Sequence, residues 1–220
     1  MSRRFAGMMF VLVLSLFAVT ACGSAGGLLN TVRGSGNVIE EVRTVTRFDE
    51  IRLGGSGRLI IEKSDTFSLT ILADDNILPV LTNEVSGWSL DLGVERNTSI
   101  NPSRAIEYRV TMPNLKGVHL SGSASVEVGP GFESEQFDLR LSGSSSARVA
   151  DLTAERTDIN VSGSGNITLV GTSDALSVNI SGSGELNGSA LETRSAEIRV
   201  SGTGNCTVRV SDSLDVRISG

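Results

Sequence analysis

From Val118 to the last residue the chain alternates apolar and polar positions with period two. At regular steps a short glycine–serine phrase interrupts the alternation. The residue before each phrase is aliphatic: Leu120, Leu141, Val161, Ile180, Val200 and Ile218. One alternation upstream lie Val118, Leu139, Ile159, Val178, Ile198 and Val216, and downstream of the first five phrases lie Val126, Ala147, Ile167, Leu186 and Cys206. Intervening positions are polar, among them Asp138 and Arg140, Asp158 and Asn160, Glu197 and Arg199, Asp215 and Arg217. Period two places one set of side chains on a buried face and the other in solvent, so these runs predict strands. No window beyond Val118 sustains a helical period.

The phrase, Ser-Gly-Ser or Ser-Gly-Thr, starts at Ser121, Ser142, Ser162, Ser181 and Ser201, and the sequence ends on Ser219-Gly220. Steps of 21, 20, 19, 20 and 18 residues mark a repeat whose units stack on one another. About five inward side chains cannot offset the ordering of twenty residues, so a single unit cannot stand alone. The predicted fold is all-β: a parallel β-helix, or β-solenoid, with rungs of roughly twenty residues about 4.8 Å apart. Gly122, Gly143, Gly163, Gly182 and Gly202 are the expected structural corners, because a tight bend often needs a positive φ. The stacked serines are expected to pass hydrogen bonds along the axis. A phosphate-cradling role is disfavoured, since a strand rather than a helix follows each glycine.

Upstream of Val118 the rhythm loosens. Val32–Gly36 and Ile51–Gly57 carry the corner phrase, and then 64 residues separate Gly57 from Ser121 without it. That interval is either a variation on the repeat or an inserted subdomain. Asp74-Asp75-Asn76-Ile77-Leu78-Pro79-Val80-Leu81 predicts the one short helix, capped by Asp75 and sealing the solenoid end. Trp88, Leu90 and Leu92, then Ile106, Tyr108, Val110 and Met112, alternate with polar residues as strands do.

The first 21 residues predict a secretion signal: Arg3-Arg4, then an apolar run from Ala6 to Val19 that is too short to span a bilayer comfortably. The run ends in Val19-Thr20-Ala21-Cys22, which resembles the lipobox of bacterial lipoproteins. That resemblance implies lipid attachment at Cys22 and a bacterial cell-envelope, extracytoplasmic address, and the small residues that follow read as a flexible tether over residues 22–31. Membrane partnership is then expected through the lipid anchor. Without Arg3 and Arg4 the 19 basic residues become 17 against 25 acidic ones, a net charge of −8, and no basic patch suggests nucleic acid. Cys206 would be the remaining thiol, which excludes a disulfide framework, and its inward phase predicts a small buried hydrophobe.

Phe48-Asp49-Glu50-Ile51-Arg52-Leu53 before a glycine corner, Ala73-Asp74-Asp75-Asn76-Ile77-Leu78, and the serial Ser-Gly corners together resemble the putative auto-transporter adhesin, head GIN domain family. The resemblance spans about residues 32–220, an irregular part over 32–117 and regular repeats over 118–220. It implies a β-helical secreted or surface-attached protein, adhesion as the activity, and no catalytic set to carry across. Members usually continue beyond the point where this sequence stops, which implies a truncated array at Gly220.

Candidate chemistry is sparse. His119 is the single histidine and is expected to face solvent. No Cys/His pair serves nucleophilic catalysis, no metal site or cofactor is expected, and Asp74 and Asp75 lack the rest of a calcium loop. The outward ladder Asp138, Asp158, Glu197 and Asp215, beside Arg140, Arg199 and Arg217, is the candidate binding face. Its charges are expected to pair across strands. The favoured function is a non-enzymatic, membrane-anchored binding or adhesion module that contacts a surface glycan or protein. Two others are a structural or regulatory envelope protein without external ligand and, more remotely, a β-helical carbohydrate-active enzyme. Few aromatic residues argues against an enzyme groove that stacks sugars.

Overall fold

The computed structural model describes residues 30–220, so the secretion signal, Cys22 and most of the tether lie outside the described residues. Fourteen strands follow in order: β1 (Asn30–Arg33), β2 (Val38–Arg43), β3 (Glu50–Lys63), β4 (Ser68–Asp74), β5 (Leu81–Ser86), β6 (Ser89–Val94) and β7 (Thr98–Asn101). Then come β8 (Glu107–Met112), β9 (Gly117–Val128), β10 (Glu133–Gly143), β11 (Ser146–Gly163), β12 (Asn166–Gly182), β13 (Glu185–Gly202) and β14 (Asn205–Ser219). The long strands bend through the corners and stack in parallel as a β-solenoid of about five turns.

Pairing is in phase with the sequence repeat. Leu139 faces Val118 on one side and Ile159 on the other, and the stack continues through Val178 and Ile198. Leu120, Leu141, Val161, Ile180 and Val200 form a second buried stack, each at most 5% exposed. Because the side-chain period is two, a one-residue slip would turn both stacks to solvent, so the register is strongly specified.

Both conformation and space demand glycine at the corners. Gly163 has φ +123°, and a Cβ there would meet the Gly143 carbonyl oxygen, one rung below, at 2.4 Å. Axial hydrogen bonding at the corners runs through the backbone more than through serine hydroxyls. Ser144 N donates to Gly122 O at 2.8 Å, Ser164 N to Gly143 O at 2.8 Å and Ser183 N to Gly163 O at 2.9 Å. Ser183–Thr203, at 2.9 Å, is the one hydroxyl pair among the corner positions of the described residues. The expected serine relay is thus largely replaced by main-chain groups, which the glycines allow to approach closely.

The first rung of the array lies well before Val118. In β3, Gly54, Gly55 and Ser56 stand opposite Ser121, Gly122 and Ser123 of β9. The intervening segment is an excursion that covers the exposed edge of β3. β6 joins its first half in parallel, with the antiparallel β5 beyond. β8 joins its second half, followed by the antiparallel β4 and β2. Antiparallel strands therefore end the parallel stack, each supplying the backbone partners that a bare edge would lack.

Two expectations fail in this region. In place of a helix over residues 74–81, Asp74 ends β4 and the only helical element among the described residues is a 3-10 turn, Leu78–Val80, with no side-chain cap. Asp75 is engaged elsewhere, accepting from Ser35 Oγ at 2.5 Å and Asn37 Nδ2 at 2.9 Å. Nor is Val32–Gly36 a solenoid corner. β1 pairs with β7 in a separate two-stranded sheet, and the Gly34–Gly36 stretch wraps the carboxylate of Asp74. Asp74 is 1% exposed and accepts from Gly36 N at 2.7 Å, Ser103 N at 2.9 Å and Ser103 Oγ. The Ser103 hydroxyl, followed by those amides, holds the Asp74 carboxyl below its ordinary value, and the Ser35 hydroxyl does the same for Asp75. The glycines that look like a corner in sequence serve here to admit a carboxylate.

Candidate functional site

The outward residues of the segment before each corner fall into two axial columns. Asp138, Asp158, Ser177, Glu197 and Asp215 stand opposite one another in succession, and Arg140, Asn160, Asn179, Arg199 and Arg217 form the neighbouring column. The columns extend back to Glu50 and Arg52 in β3 through Gly117 and His119. All seven candidate face residues are therefore brought onto one flank.

Their pairing differs from the expectation. Cross-strand neighbours often carry like charge, as Asp138 faces Asp158 and Arg199 faces Arg217. Each carboxylate instead takes its arginine two residues along its own strand. Arg140 Nη2 lies 2.5 Å from Asp138 Oδ2, Arg217 Nη2 lies 2.9 Å from Asp215 Oδ2, and Arg199 contacts Glu197. For Asp158 the partner is Arg156, at 2.8 Å, with Gln136 Nε2 at 3.2 Å. Positions i and i+2 share a face of a strand, so they meet directly, and this offsets the repulsion between like neighbours across the ladder. Arg156 is absent from the sequence-based set because its rung breaks the pattern: Asn160 occupies the usual arginine position.

His119 points outward, yet its side chain is only 20% exposed, with Nε2 3.8 Å from Asp138 Oδ2, beyond hydrogen-bond reach. Burial would raise the Asp138 carboxyl, but His119 and Arg140 outweigh it and hold it below its ordinary value. A carboxylate kept ionised and paired with arginine is a poor general acid. No group of three or more His, Cys, Asp or Glu side chains that could hold a metal ion occurs among the described residues. Cys206 follows Leu186 in the inward stack but is half-buried, and burial pushes its thiol up to about 11, which leaves it unreactive at neutral pH.

Beside this flank the return segments form an axial groove of about 900 Å³, running from Glu133 in β10 to Ser211 in β14. Buried Ala154, Ser173 and Thr193 line its floor. The floor hydroxyls make the bend: Ser173 Oγ donates to Ala175 O at 3.1 Å and Thr193 Oγ1 to Ser195 O at 3.2 Å. On the rim, Glu135, Glu155, Asp174 and Arg194 occupy one phase of the repeat. Arg194 reaches Asp174 at 3.9 Å and Asp212 at 3.6 Å, and Arg209 pairs with Glu192 at 3.0 Å. Glu133, Glu135 and Glu155 have no ion-pair partner among the described residues, so that end of the groove is acidic. The alternation and the corner phrases assign these return segments no role, so the groove is not among the sequence-based expectations. The signal was available: Glu135, Glu155, Asp174, Arg194 and Asp212 each precede their corner serine by the same interval.

Among the described residues no helix is long and apolar enough to cross a membrane. The family model described as putative auto-transporter adhesin, head GIN domain, matches residues 47–220, and the chain belongs to that family. Among solved structures it is similar to a putative adhesin from Bacteroides fragilis NCTC 9343, with 22% identity and a TM-score of 0.82 over 86% of this chain and 88% of that one. It is also similar to a putative adhesin from Parabacteroides merdae ATCC 43184 (18% identity, TM-score 0.62, 87% and 96% covered). A putative lipid binding protein from Parabacteroides distasonis ATCC 8503 matches with 20% identity and a TM-score of 0.59, over 86% and 98% of the two chains. At these identities the likeness is one of fold. No curated protein matches.

Proposed function

We propose that this member of the head GIN domain family is a non-enzymatic adhesion module, held at the outside of the bacterial envelope by a lipid on Cys22. It engages a polymeric partner, a surface glycan or a protein segment, along the flank that carries the charge ladder and the adjoining groove. The observation that carries this reading is the groove: it is concave, continuous over five successive rungs, and edged by carboxylates at one end. Five rungs at about 4.8 Å spacing make it roughly 19 Å long, which suits an extended polymer better than a small molecule. The ladder supports binding over turnover, because its acidic groups are already matched by arginines and none is poised as an acid–base pair. Both surfaces lie on rigid strands rather than mobile loops, so little ordering opposes contact.

The test is binding of the chain to a glycan array and to host matrix proteins, each hit being repeated after charge reversal at Asp138, Asp158 and Arg199 and, separately, at Glu135 and Glu155. Saturable binding lost in either set assigns the partner to that surface. No hit on either panel sinks the adhesion reading.

A further inference from the structure

The only tryptophan of the chain stands where the fold has no need of one. β5 and β6 form a hairpin in which Ser86 pairs with Ser89, so Gly87 and Trp88 are its two-residue loop. Gly87, at φ +62°, takes the position that needs a left-handed residue, as in a type II′ turn, which leaves the next position open to any side chain. That position is held firmly: Trp88 O accepts from Asp49 N at 2.9 Å and Glu50 N at 3.0 Å. Trp88 is nevertheless 56% exposed and stands outside the buried core. A large aromatic surface kept in solvent on a fixed backbone is characteristic of a contact site.

The surroundings define the chemistry. Trp88 overhangs a pocket of about 380 Å³, shared with Arg47, Asp49, Phe67, Asn114 and Lys116. Lys116 Nζ is paired with Asp49 at 3.0 Å. The Arg47 guanidinium rests 5.1 Å from the indole centroid and has no carboxylate partner among the described residues. The pocket thus carries one uncommitted positive charge on a chain whose formal net charge is −6. An aromatic face, amide and carboxylate groups able to pair with hydroxyls, and a free guanidinium are together the complement of a sugar ring bearing an acid.

We propose that this pocket binds an acidic sugar unit, a pyranose with a carboxylate, its ring against Trp88 and its carboxylate on Arg47. Asp49, Asn114 and Lys116 meet the ring hydroxyls. Arg47 exchanges its contact with the indole for a charge-assisted, bidentate hydrogen bond to the ligand. An acidic peptide fits less well, since its carboxylates would use Arg47 and leave the indole and the polar wall unmatched. The site is distinct from the groove, whose unpaired charges are of opposite sign. It deepens the adhesion reading, sharing its premise that the chain holds its ligand without changing it.

A single tryptophan makes the test site-specific. The full chain, purified in detergent, is titrated with a galacturonate hexasaccharide while indole fluorescence is followed. Maltohexaose and a polyphosphate of equal charge serve as comparisons. The expected result is a saturable change with the galacturonate probe only, weakened about tenfold by Arg47→Gln and by raised salt. Thermal melts show whether the variant is folded, and Trp88→Ala, followed by calorimetry, must abolish the same binding. An unchanged fluorescence, an equal response to maltohexaose or polyphosphate, or full affinity in Arg47→Gln overturns the proposal. Glycan-array binding that leaves the indole unaffected overturns this site while leaving the adhesion reading intact.

Discussion

The regular array and the excursion that ends it solve the same problem by opposite means. In the array, parallel rungs repeat one solution: aliphatic stacks inside, glycine at each corner, and, on the ladder, outward charges matched within their own strand. In the excursion, antiparallel strands cover an edge, and aromatic side chains join a largely aliphatic core, with Phe48, Tyr108 and the tilted Phe48–Phe67 pair at 5.2 Å. Unpaired charges occur in both regions, at Glu133, Glu135 and Glu155 in the groove and at Arg47 beside the hairpin, and they differ in sign. On the ladder every acidic residue has an arginine, whereas Arg47 and the exposed Trp88 sit where the repeat is interrupted. Repetition supplies a rigid scaffold cheaply in sequence terms, and departures from it are where specific chemistry can be placed.

The sharpest way to break the comparison is to violate the repeat itself. Val161→Asp places a charge in the middle of a stack where Val161 is 3% exposed, and the expected outcome is loss of the cooperative thermal transition. Retention of the β-type circular dichroism spectrum and an unchanged melting temperature would show that the inward assignment is mistaken.

Next in size is a pair of glycines, one from each region. Gly163→Ala meets both a positive φ and a carbonyl at 2.4 Å, so urea unfolding should show a loss of roughly 2–5 kcal/mol, from backbone strain plus overpacking. Gly36→Ala has φ +87° but open space around it, and the loss should be confined to about 1–2 kcal/mol. Equal losses would mean that rung-to-rung contact is not what restricts the array corners.

Acid should act first on the excursion. Asp74 and Asp75 both have folded values lowered from 3.8 by the hydroxyl and amide donors around them. The unfolded chain therefore takes up these protons more readily than the folded one. Their stabilisation is present above about pH 3.8 and is lost as the pH falls from there through the depressed folded values. Urea midpoints between about pH 2 and 7 should drop on the acid side, and Asp74→Asn should flatten that limb while lowering the midpoint at neutral pH. An unchanged pH profile in the variant would remove Asp74 as the pin of the β1–β2 connection.

The smallest effect is expected on the ladder. Arg140→Ala removes one exposed partner of Asp138, and the change in stability should stay within about 1 kcal/mol and shrink further in salt. A larger, salt-insensitive loss would indicate that the ladder acts as a coupled network.

The two regions also differed in how far they could be read from sequence. The array was legible because each rung restates the same constraint: Leu139, Ile159 and Val178 share a phase, so the period reveals both strand and register. The ends of the charge pairs were not, since a column shows which residues stack but not whether a side chain bonds along its strand or across it. The groove escaped notice because its hydroxyls, at Ser173 and Thr193, turn the chain locally and vary between rungs. In the excursion, Asp74-Asp75-Asn76 resembles a helix start by composition, yet its carboxylates are claimed by Gly36, Ser35 and Ser103. Those partners are distant in sequence and carry no periodic signature. Trp88 was visible as a strand residue, but its position at a hairpin tip depends on Gly87 and on amides donated from Asp49 and Glu50.

The central claim is that this chain holds a ligand and leaves it intact. Its most direct test is mass spectrometry of glycans retained by the full chain after incubation with a mixed pool and washing to equilibrium. The account predicts saturable retention of a subset, released at their original masses, with Asp158→Asn altering at most the amount retained and never the mass released. Retention of nothing, or release of shortened products whose formation stops in Asp158→Asn, would contradict it.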